Sequence, residues 1–385
     1  MGGAVCRKMS KIQNMNEEGD KGEKSEKGEY PLNQIYFYLT EGCNLRCRHC
    51  WISPKYQTEG RIYPSLDFDL FRSIIRQARP IGLQTVKLTG GEPLLHPRIT
   101  DMLDFIRSED LGLTMETNGL LCTKEIVLKI AGCNNPSISV SLDGADAITH
   151  EWIRGVEGCF KLTIDSIHNL VEAGIRPQVI MTIMRRNMDQ ISDIVRLAET
   201  LGAGSIKFNI VQPTARGEEM HKAGDVLSIE ELVNLGQWIE NELSTRTDLP
   251  LSHSHPHAFQ PLGRIFGEKG DGCSTCGILG IIGVIADGSY ALCGIGQTVP
   301  ELIFGHAAEV SLEEVWQGSP VLKEIRDGLP KRFEGVCGKC VMLSRCLGSC
   351  LAQNYYSSKN FWAPYWYCDM AKRKGLFPET RIRPS

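Results

Sequence analysis

From Gln34 to about His255 the chain alternates short apolar runs with longer stretches of helical period. The runs predict strands at Ile35–Thr40, Thr85–Thr89, Leu113–Glu116, Ser137–Leu142, Gln178–Ile183 and Ser205–Ile210. The amphipathic stretches predict helices near 66–79, 98–108, 123–132, 160–174, 188–202 and 229–243. Strand-then-helix repetition with β-branched strands predicts a parallel sheet covered by helices. Six such units, not eight, predict an α/β fold, a partial (β/α)6 TIM-type barrel that is open rather than closed. Reactive residues then belong at the C-terminal ends of the strands.

The two ends of the chain read differently. Residues 1–30 are rich in Lys, Glu, Gly and Ser and predict a disordered tail, because they carry too little apolar surface to offset their ordering entropy. Residues 31–257 form the expected barrel. Over 258–385 the alternation stops, and a loop-rich domain is expected. Within it Ile281–Ala286, Asp287-Gly288 and Tyr290–Cys293 predict a hairpin. His253, His255 and His257 alternate, but Pro256 interrupts them, so a solvent-exposed entry segment is expected, with acid–base help to a substrate the lesser alternative. Phe361, Trp362, Tyr365, Trp366 and Tyr367 are expected to pack around a buried centre.

A length of 385 residues accommodates two domains. No apolar run reaches membrane-spanning length, the N-terminus lacks a signal-peptide core, and Cys6 stands where a myristoylation motif needs Ser or Thr. A cytoplasmic protein without a membrane partner is expected. The net charge of −4 gives no footprint for nucleic acid. The fifteen cysteines change the picture: in such a chain they point to metal sites, not disulfides.

Cys43, Cys47 and Cys50 follow the first strand. Thiolates hold iron–sulfur clusters, and an ordinary cubane takes four. Three with no nearby fourth leave one iron open to a cofactor or substrate; the competing reading is a closed zinc or ferredoxin-type site with a distant fourth ligand. The triplet and Gly90-Gly91-Glu92-Pro93 after the second strand resemble the Cys-x3-Cys-x-φ-Cys and GGEP signatures of radical S-adenosylmethionine enzymes, with His49 at φ. Thr117-Asn118-Gly119 and Ser141-Leu142-Asp143-Gly144 stand where those enzymes place cofactor contacts. The resemblance, over roughly residues 34–255, implies that the open iron of a [4Fe–4S] cluster chelates S-adenosylmethionine. One electron then splits the cofactor into methionine and a 5′-deoxyadenosyl radical that abstracts hydrogen. It further implies that His49, Gly90, Gly91, Glu92, Pro93, Thr117, Asn118, Ser141, Asp143 and Arg154 surround the cofactor. Among these, Glu92 faces the methionyl amine, and Ser141 and Arg154 face the carboxylate.

Downstream, Cys276, Gly288, Cys293, Cys337, Cys340, Cys346, Cys350 and Cys368 resemble the pattern of a SPASM domain, which carries two auxiliary [4Fe–4S] clusters. With Cys273 the resemblance assigns Cys273, Cys276, Cys293 and Cys350 to one cubane and Cys337, Cys340, Cys346 and Cys368 to the other, three cubanes in all. A zinc ribbon on Cys273, Cys276, Cys337 and Cys340 would strand the remaining four. Cys122, Cys133 and Cys159 are expected to be buried hydrophobes, with a thiyl role for Cys122 the lesser alternative.

For function, the resemblance implies an oxidoreductase or maturase with a low-potential donor, flavodoxin or ferredoxin. Its substrate would be a ribosomally made peptide undergoing cross-linking or oxidation. Gly294 stands where sulfatase-maturing relatives carry a catalytic Asp, which speaks against a formylglycine product. Only about 30 residues precede the core, too few for a leader-binding domain. The alternatives are a decarboxylase or side-chain-removing enzyme of the heme and tetrapyrrole pathway, for which Arg185, Arg186 and Arg216 are the cations to check, and a non-catalytic iron–sulfur electron carrier. No side chain is singled out as general base.

Overall fold

The computed structural model describes residues 30–57, 63–267 and 276–384. The tail expected over residues 1–30 lies, apart from Tyr30, outside the described residues, as do Cys6 and Cys273. The chain forms two compact units, one of Pro31–Ser254 with Ile278–Asp327 and one of His255–Gly277 with Gly328–Ser385. Residues 278–327, expected in the C-terminal domain, thus group with the barrel.

All six expected strands form in the first unit: β1 Gln34–Tyr38, β2 Thr85–Thr89, β3 Gly112–Thr117, β4 Asn134–Ser141, β5 Gln178–Ile183 and β6 Ser205–Ile210. They pair in parallel in chain order, and a seventh, β7 Leu251–His253, follows on β6. The hairpin also forms, as β8 Ile281–Val284 and β9 Ser289–Ala291, with the turn closed by Gly288 at φ +95°. β8 pairs in parallel with β1, and β10 Ile303–His306 lies beyond β9. The partial barrel is therefore one ten-stranded sheet. That pairing explains why the segment groups with the first unit: its backbone continues the ladder of β1.

Along each strand the side chains alternate. Ile35, Phe37, Val86, Leu88, Leu113 and Met115 are fully or almost fully buried, on the face that helices cover. Phe37, for example, packs against Phe71 of α1 Phe68–Ala78, ring centroids 4.6 Å apart. The opposite face is polar. Tyr36, Lys87, Glu116, Ser139, Gln178 and Lys207 hold its alternate positions, and Lys87 Nζ sits 2.7 Å from Glu116 Oε1.

Up to Ser254 the remaining helices of this unit are α2 Ile99–Ser108, α3 Lys124–Ala131, α4 Ala147–Arg154, α5 Cys159–Glu172, α6 Ile191–Thr200, α7 Arg216–Ala223 and α8 Ile229–Asn241. The periodicity does not predict α4 or α7, which are two turns each. Their ends are nevertheless written locally. Asp146 accepts the Thr149 N–H to cap α4, and Gly155 ends it in the left-handed region at φ +75°.

In the second unit short helices, among them α9 Leu351–Ser358 and α10 Trp366–Arg373, surround aromatic contacts of Phe259 with Tyr367 and Phe377 and of Phe333 with Trp362. Phe361, Trp362, Tyr365 and Tyr367 are buried, and Trp366 is half-buried. The histidine segment differs from its expectation. His253 belongs to β7 and stands 3.4 Å from Glu240, while His255 and His257 are buried, His255 hydrogen bonded to the Tyr367 hydroxyl. Pro256 breaks the strand but does not expose the chain, because aromatic side chains cover the segment.

Candidate active site

β1 delivers the chain into the loop that carries Cys43, Cys47 and Cys50. The loop is clamped from three sides. Gly42–Cys43 pairs in parallel with Lys55–Tyr56. The Arg46 and Arg48 N–H groups each donate over 3.0 Å to the carbonyls of Arg154 and Ile153 at the end of α4. Arg216, at the start of α7, donates from Nη1 to the Cys47 carbonyl at 3.1 Å and from Nη2 to the Pro54 carbonyl at 2.8 Å.

Within the loop the Leu45 N–H donates to Cys43 Sγ at 3.4 Å, and Arg154 Nη1 donates to Cys47 Sγ at 3.5 Å. Burial, then the nearby Cys47 and Glu92, hold the Cys43 thiol well above its ordinary range; burial and Cys47 push Cys50 up to about 11. Thiols crowded in this way resist ionising by themselves and suit a shared cationic centre.

The Gly90-Gly91-Glu92 turn at the end of β2 explains its own composition. The Gly91 N–H donates to the Thr40 carbonyl and the Glu92 N–H to the Gly42 carbonyl, both at 3.0 Å. A Cβ on Gly91 would lie 1.9 Å from the Gly42 oxygen, and Gly90 sits at φ +127°. The glycines therefore let the turn dock backbone-to-backbone on the cysteine loop. Glu92 stitches in the next strand end: its carboxylate accepts from the Thr117 hydroxyl at 2.7 Å and the Asn118 N–H at 2.8 Å. Burial nonetheless pushes its pKa up to about 7. Asn118 Nδ2 continues the chain of contacts to Asn44 Oδ1 at 2.7 Å.

Asp143, fully buried after β4, accepts the Thr182 N–H at 2.7 Å and lies 2.8 Å from Arg154 Nε and 3.7 Å from His49 Nε2. Burial alone would raise its carboxyl, but Arg154 and then His49 hold it below the ordinary range. Burial lowers His49 to about 4, with Asp143 opposing and Arg154 and Arg216 adding to the effect.

Most of these groups border one open cavity of about 920 Å³, part of it continuous with solvent. Cys43, Cys47 and Cys50 line it together with His49, Gly90, Gly91, Glu92, Thr117, Asn118, Ser141 and Arg154. Pro93 and Asp143 do not; both are buried behind the wall, Pro93 starting a short 3-10 turn and Asp143 orienting Arg154. The wall also includes Trp51, Glu116, Asn209 and Arg216, which no motif announces. Glu116 and Asn209 occupy inward-facing alternate positions of β3 and β6, the one sequence signal that marks them. Of the three arginines singled out as possible substrate cations, only Arg216 reaches the cavity; Arg185 is paired with Glu231 at 2.8 Å, and Arg186 lies over Trp152.

In the second unit Cys337, Cys340, Cys346 and Cys368 line a smaller space of about 280 Å³, closed by Pro256, Ala258, Met342, Leu343, Gly348 and Phe377. The Tyr365 N–H donates to Cys337 Sγ and the Met342 N–H to Cys340 Sγ, both at 3.4 Å. Of the other expected set, Cys276 and Cys350 belong to the second unit and Cys293 to the first, where it follows β9. Cys122, Cys133 and Cys159 are buried and form no disulfide.

The family model of the radical SAM superfamily matches residues 37–198, and that of an iron–sulfur cluster-binding domain, SPASM, matches 273–341. The AdoMet-dependent heme synthase of Methanosarcina barkeri is 30% identical over 348 residues, 87% of this chain and 95% of that protein. The mycofactocin maturase of Mycobacterium tuberculosis is 26% identical over 325 residues, 83% of this chain and 78% of that protein. The crystal structure of Streptococcus suis SuiB bound to S-adenosylmethionine superposes with a TM-score of 0.69 at 18% identity, covering 93% of this chain and 80% of that one. The chain belongs to the radical SAM superfamily and carries a SPASM domain, so it is an enzyme of iron–sulfur and S-adenosylmethionine chemistry. Among the described residues no helix is long and apolar enough to cross a membrane.

Proposed function

We propose that this enzyme abstracts hydrogen from a ribosomally made peptide, which it cross-links or oxidises. The observation that carries the radical chemistry is the cavity wall: among the described residues it presents three cysteines, with the Gly90–Glu92 turn and Arg154 on the same wall. Three sulfurs leave one corner of a cubane open. When bound, the cluster and S-adenosylmethionine supply an electron and a carbon radical.

The chain's own residues hold, orient and exclude. Arg216 and the end of α4 fix the loop backbone, and Arg154, oriented by Asp143, braces Cys47. Gly90, Gly91 and Glu92 would receive the amino group of the cofactor, and Ser141 and Arg154 its carboxylate. Cys337, Cys340, Cys346 and Cys368 would hold a closed auxiliary cluster in the second unit, with Cys273, Cys276, Cys293 and Cys350 holding another, three cubanes in all. Gly294 supports the exclusion of a formylglycine product, since a Cβ there would lie 2.3 Å from the Tyr38 ring.

The likeness to a peptide maturase supports the peptide reading. A heme-pathway decarboxylation is the second reading, favoured by the 30% identity spanning 95% of the archaeal heme synthase and by Arg216 on the cavity wall. Anaerobic reconstitution tests the whole. The expectation is about twelve irons per chain and 5′-deoxyadenosine from S-adenosylmethionine under dithionite. A single cubane would overturn the cluster assignment, and no cleavage would leave only an electron carrier. Two assays then separate the substrates: an iron porphyrin bearing propionates, scored for carbon dioxide loss, and peptides encoded beside the gene, scored for loss of two hydrogens. Porphyrin turnover alone would replace the first reading with the second.

A further inference from the structure

Among the described residues two carboxylates line the cavity, Glu92 and Glu116, and they are held in different ways. Glu92 is buried and fully engaged, accepting from the Leu94 and Asn118 N–H groups and from the Thr117 hydroxyl. Glu116 of β3 stands two positions before Asn118, at most about 7 Å away along the chain. Its Oε1 accepts from Lys87 Nζ of β2 at 2.7 Å, while its Oε2 makes no hydrogen bond among the described residues. The Glu116 side chain is 36% exposed, against 16% for Lys87.

A second cation acts on the same carboxylate. Lys207 of β6 holds the polar face of the sheet, in register with Ile180 and two positions before Asn209, both on the cavity wall. Burial lowers the Lys207 pKa, with Glu116 opposing and Lys87 adding to the effect. Burial alone would raise the Glu116 carboxyl, but Lys87 and then Lys207 hold it below the ordinary range. An ion pair that only sealed the sheet would match its charges and close over. Here two lysines keep one carboxylate ionised while one of its oxygens stays free. The other ionisable groups of the wall are committed. His49 and Arg154 stand at Asp143, Arg216 clasps the cysteine loop, and the three sulfurs suit the cluster.

We propose that Glu116 is the general base of the reaction, the group that takes the proton the substrate loses after hydrogen abstraction. The inference rests on the peptide reading and names the base which that reading requires. Loss of two hydrogens divides into three transfers. The substrate gives one hydrogen atom to the cofactor-derived radical, one proton to Glu116 Oε2 and one electron to an oxidised auxiliary [4Fe–4S] cluster, which is thereby reduced. The proton leaves an N–H, O–H or C–H bond beside the radical carbon, and the electron pair of that bond completes the new one. Glu116 becomes the neutral acid and returns its proton to solvent through the open side of the cavity. A carboxylate of low pKa is sufficient, because a carbon radical that is losing an electron is a far stronger acid than its parent.

The test uses the reconstituted enzyme and the peptide that loses two hydrogens in the assay above. Glu116→Gln keeps the shape and can still accept from Lys87, but it cannot take a proton. Its product formation should fall about a hundredfold or more. The 5′-deoxyadenosine formed per product should rise about tenfold or more, and an organic radical should accumulate in freeze-quenched electron paramagnetic resonance. Peptide binding, measured by titration calorimetry, should persist. In Glu116→Gly, added formate should restore product in proportion to its concentration and chloride should not, a rescue that lost packing does not show. Iron content reports whether each variant holds its clusters. Should Glu116→Gln fail that check, Glu116→Asp, which keeps the charge and withdraws it by one methylene, should show the same changes to a smaller degree. Product within about twofold of wild type, loss of peptide binding, or equal losses of product and 5′-deoxyadenosine with no radical would each overturn the assignment alone. Turnover of the porphyrin and of no peptide would instead remove the peptide reading, and the assignment with it, since carbon dioxide then leaves in the proton's place.

Discussion

The cavity that holds Cys43, Cys47 and Cys50 and the one enclosed by Cys337, Cys340, Cys346 and Cys368 are built from opposite materials. The first has Glu92, Asn118, Arg154 and Arg216 on its wall and about 920 Å³ of space; the second is about 280 Å³, and apart from its sulfurs its lining side chains are apolar. A wall of fixed charges and hydrogen-bonding groups suits a polar ligand that must be oriented. A tight apolar shell suits a centre that passes electrons and touches nothing else. On the proposed function the contrast separates a catalytic centre from a relay within one chain, and it is open to attack from both sides.

The harshest break comes from removing a sulfur at the open site. Cys47→Ala should abolish 5′-deoxyadenosine formation and lower the iron content by about four per chain, one cubane of the three proposed. Cys346→Ala should lose the same amount of iron from the other cavity yet keep dithionite-driven cleavage of S-adenosylmethionine. The second unit should become sensitive to proteolysis, because its shell has little else to pack around. Equal effects of the two variants on cleavage would erase the distinction.

Polar support for the open site comes next. Asp143→Asn leaves the buried Arg154 uncompensated, and breaking such a pair costs about 3–5 kcal/mol; chemical denaturation should show that loss together with a raised KM for S-adenosylmethionine. Gly91→Ala places a methyl against the Gly42 carbonyl and should cost about 1–3 kcal/mol by overpacking, with the cysteine loop displaced and cleavage slowed.

The mildest test is acid. Burial holds His150, whose Nδ1 accepts the Asp143 N–H at 3.1 Å, neutral with a pKa of about 3. Because the folded value lies below the unfolded one near 6.5, the unfolded chain binds the extra proton. Stability is complete above that pH and falls as pH drops toward 3. At pH 5 the loss from this group is about 2 kcal/mol, and His150→Asn should flatten that part of the pH–stability curve.

Much of this was legible before any coordinates. The six barrel strands follow from apolar runs, and most cavity residues follow from motifs at their ends, because a parallel sheet places successive strand ends side by side. What stayed hidden has physical reasons. Gly90 and Gly91 read as room for a ligand, yet their backbone is also occupied by the Gly42 loop, a contact between segments almost fifty residues apart. Asp143 and Pro93 carry the motif but stand behind the wall, since a motif records position in the chain and not depth. Arg216 reaches Cys47 from an unpredicted two-turn helix, and the strand β8 looks like any hairpin arm until it pairs with β1. His255 and His257 read as exposed because Pro256 follows a polar run; their cover comes from aromatic residues over a hundred positions later.

The most direct test of the account is electron–nuclear double resonance on the reduced enzyme with S-adenosylmethionine labelled with 17O in its carboxylate and 15N in its amino group. The account predicts strong couplings of both labels to the cluster held by Cys43, Cys47 and Cys50, absent in Cys47→Ala and intact in Cys346→Ala. A cluster that shows four protein ligands and no coupling to either label would contradict it.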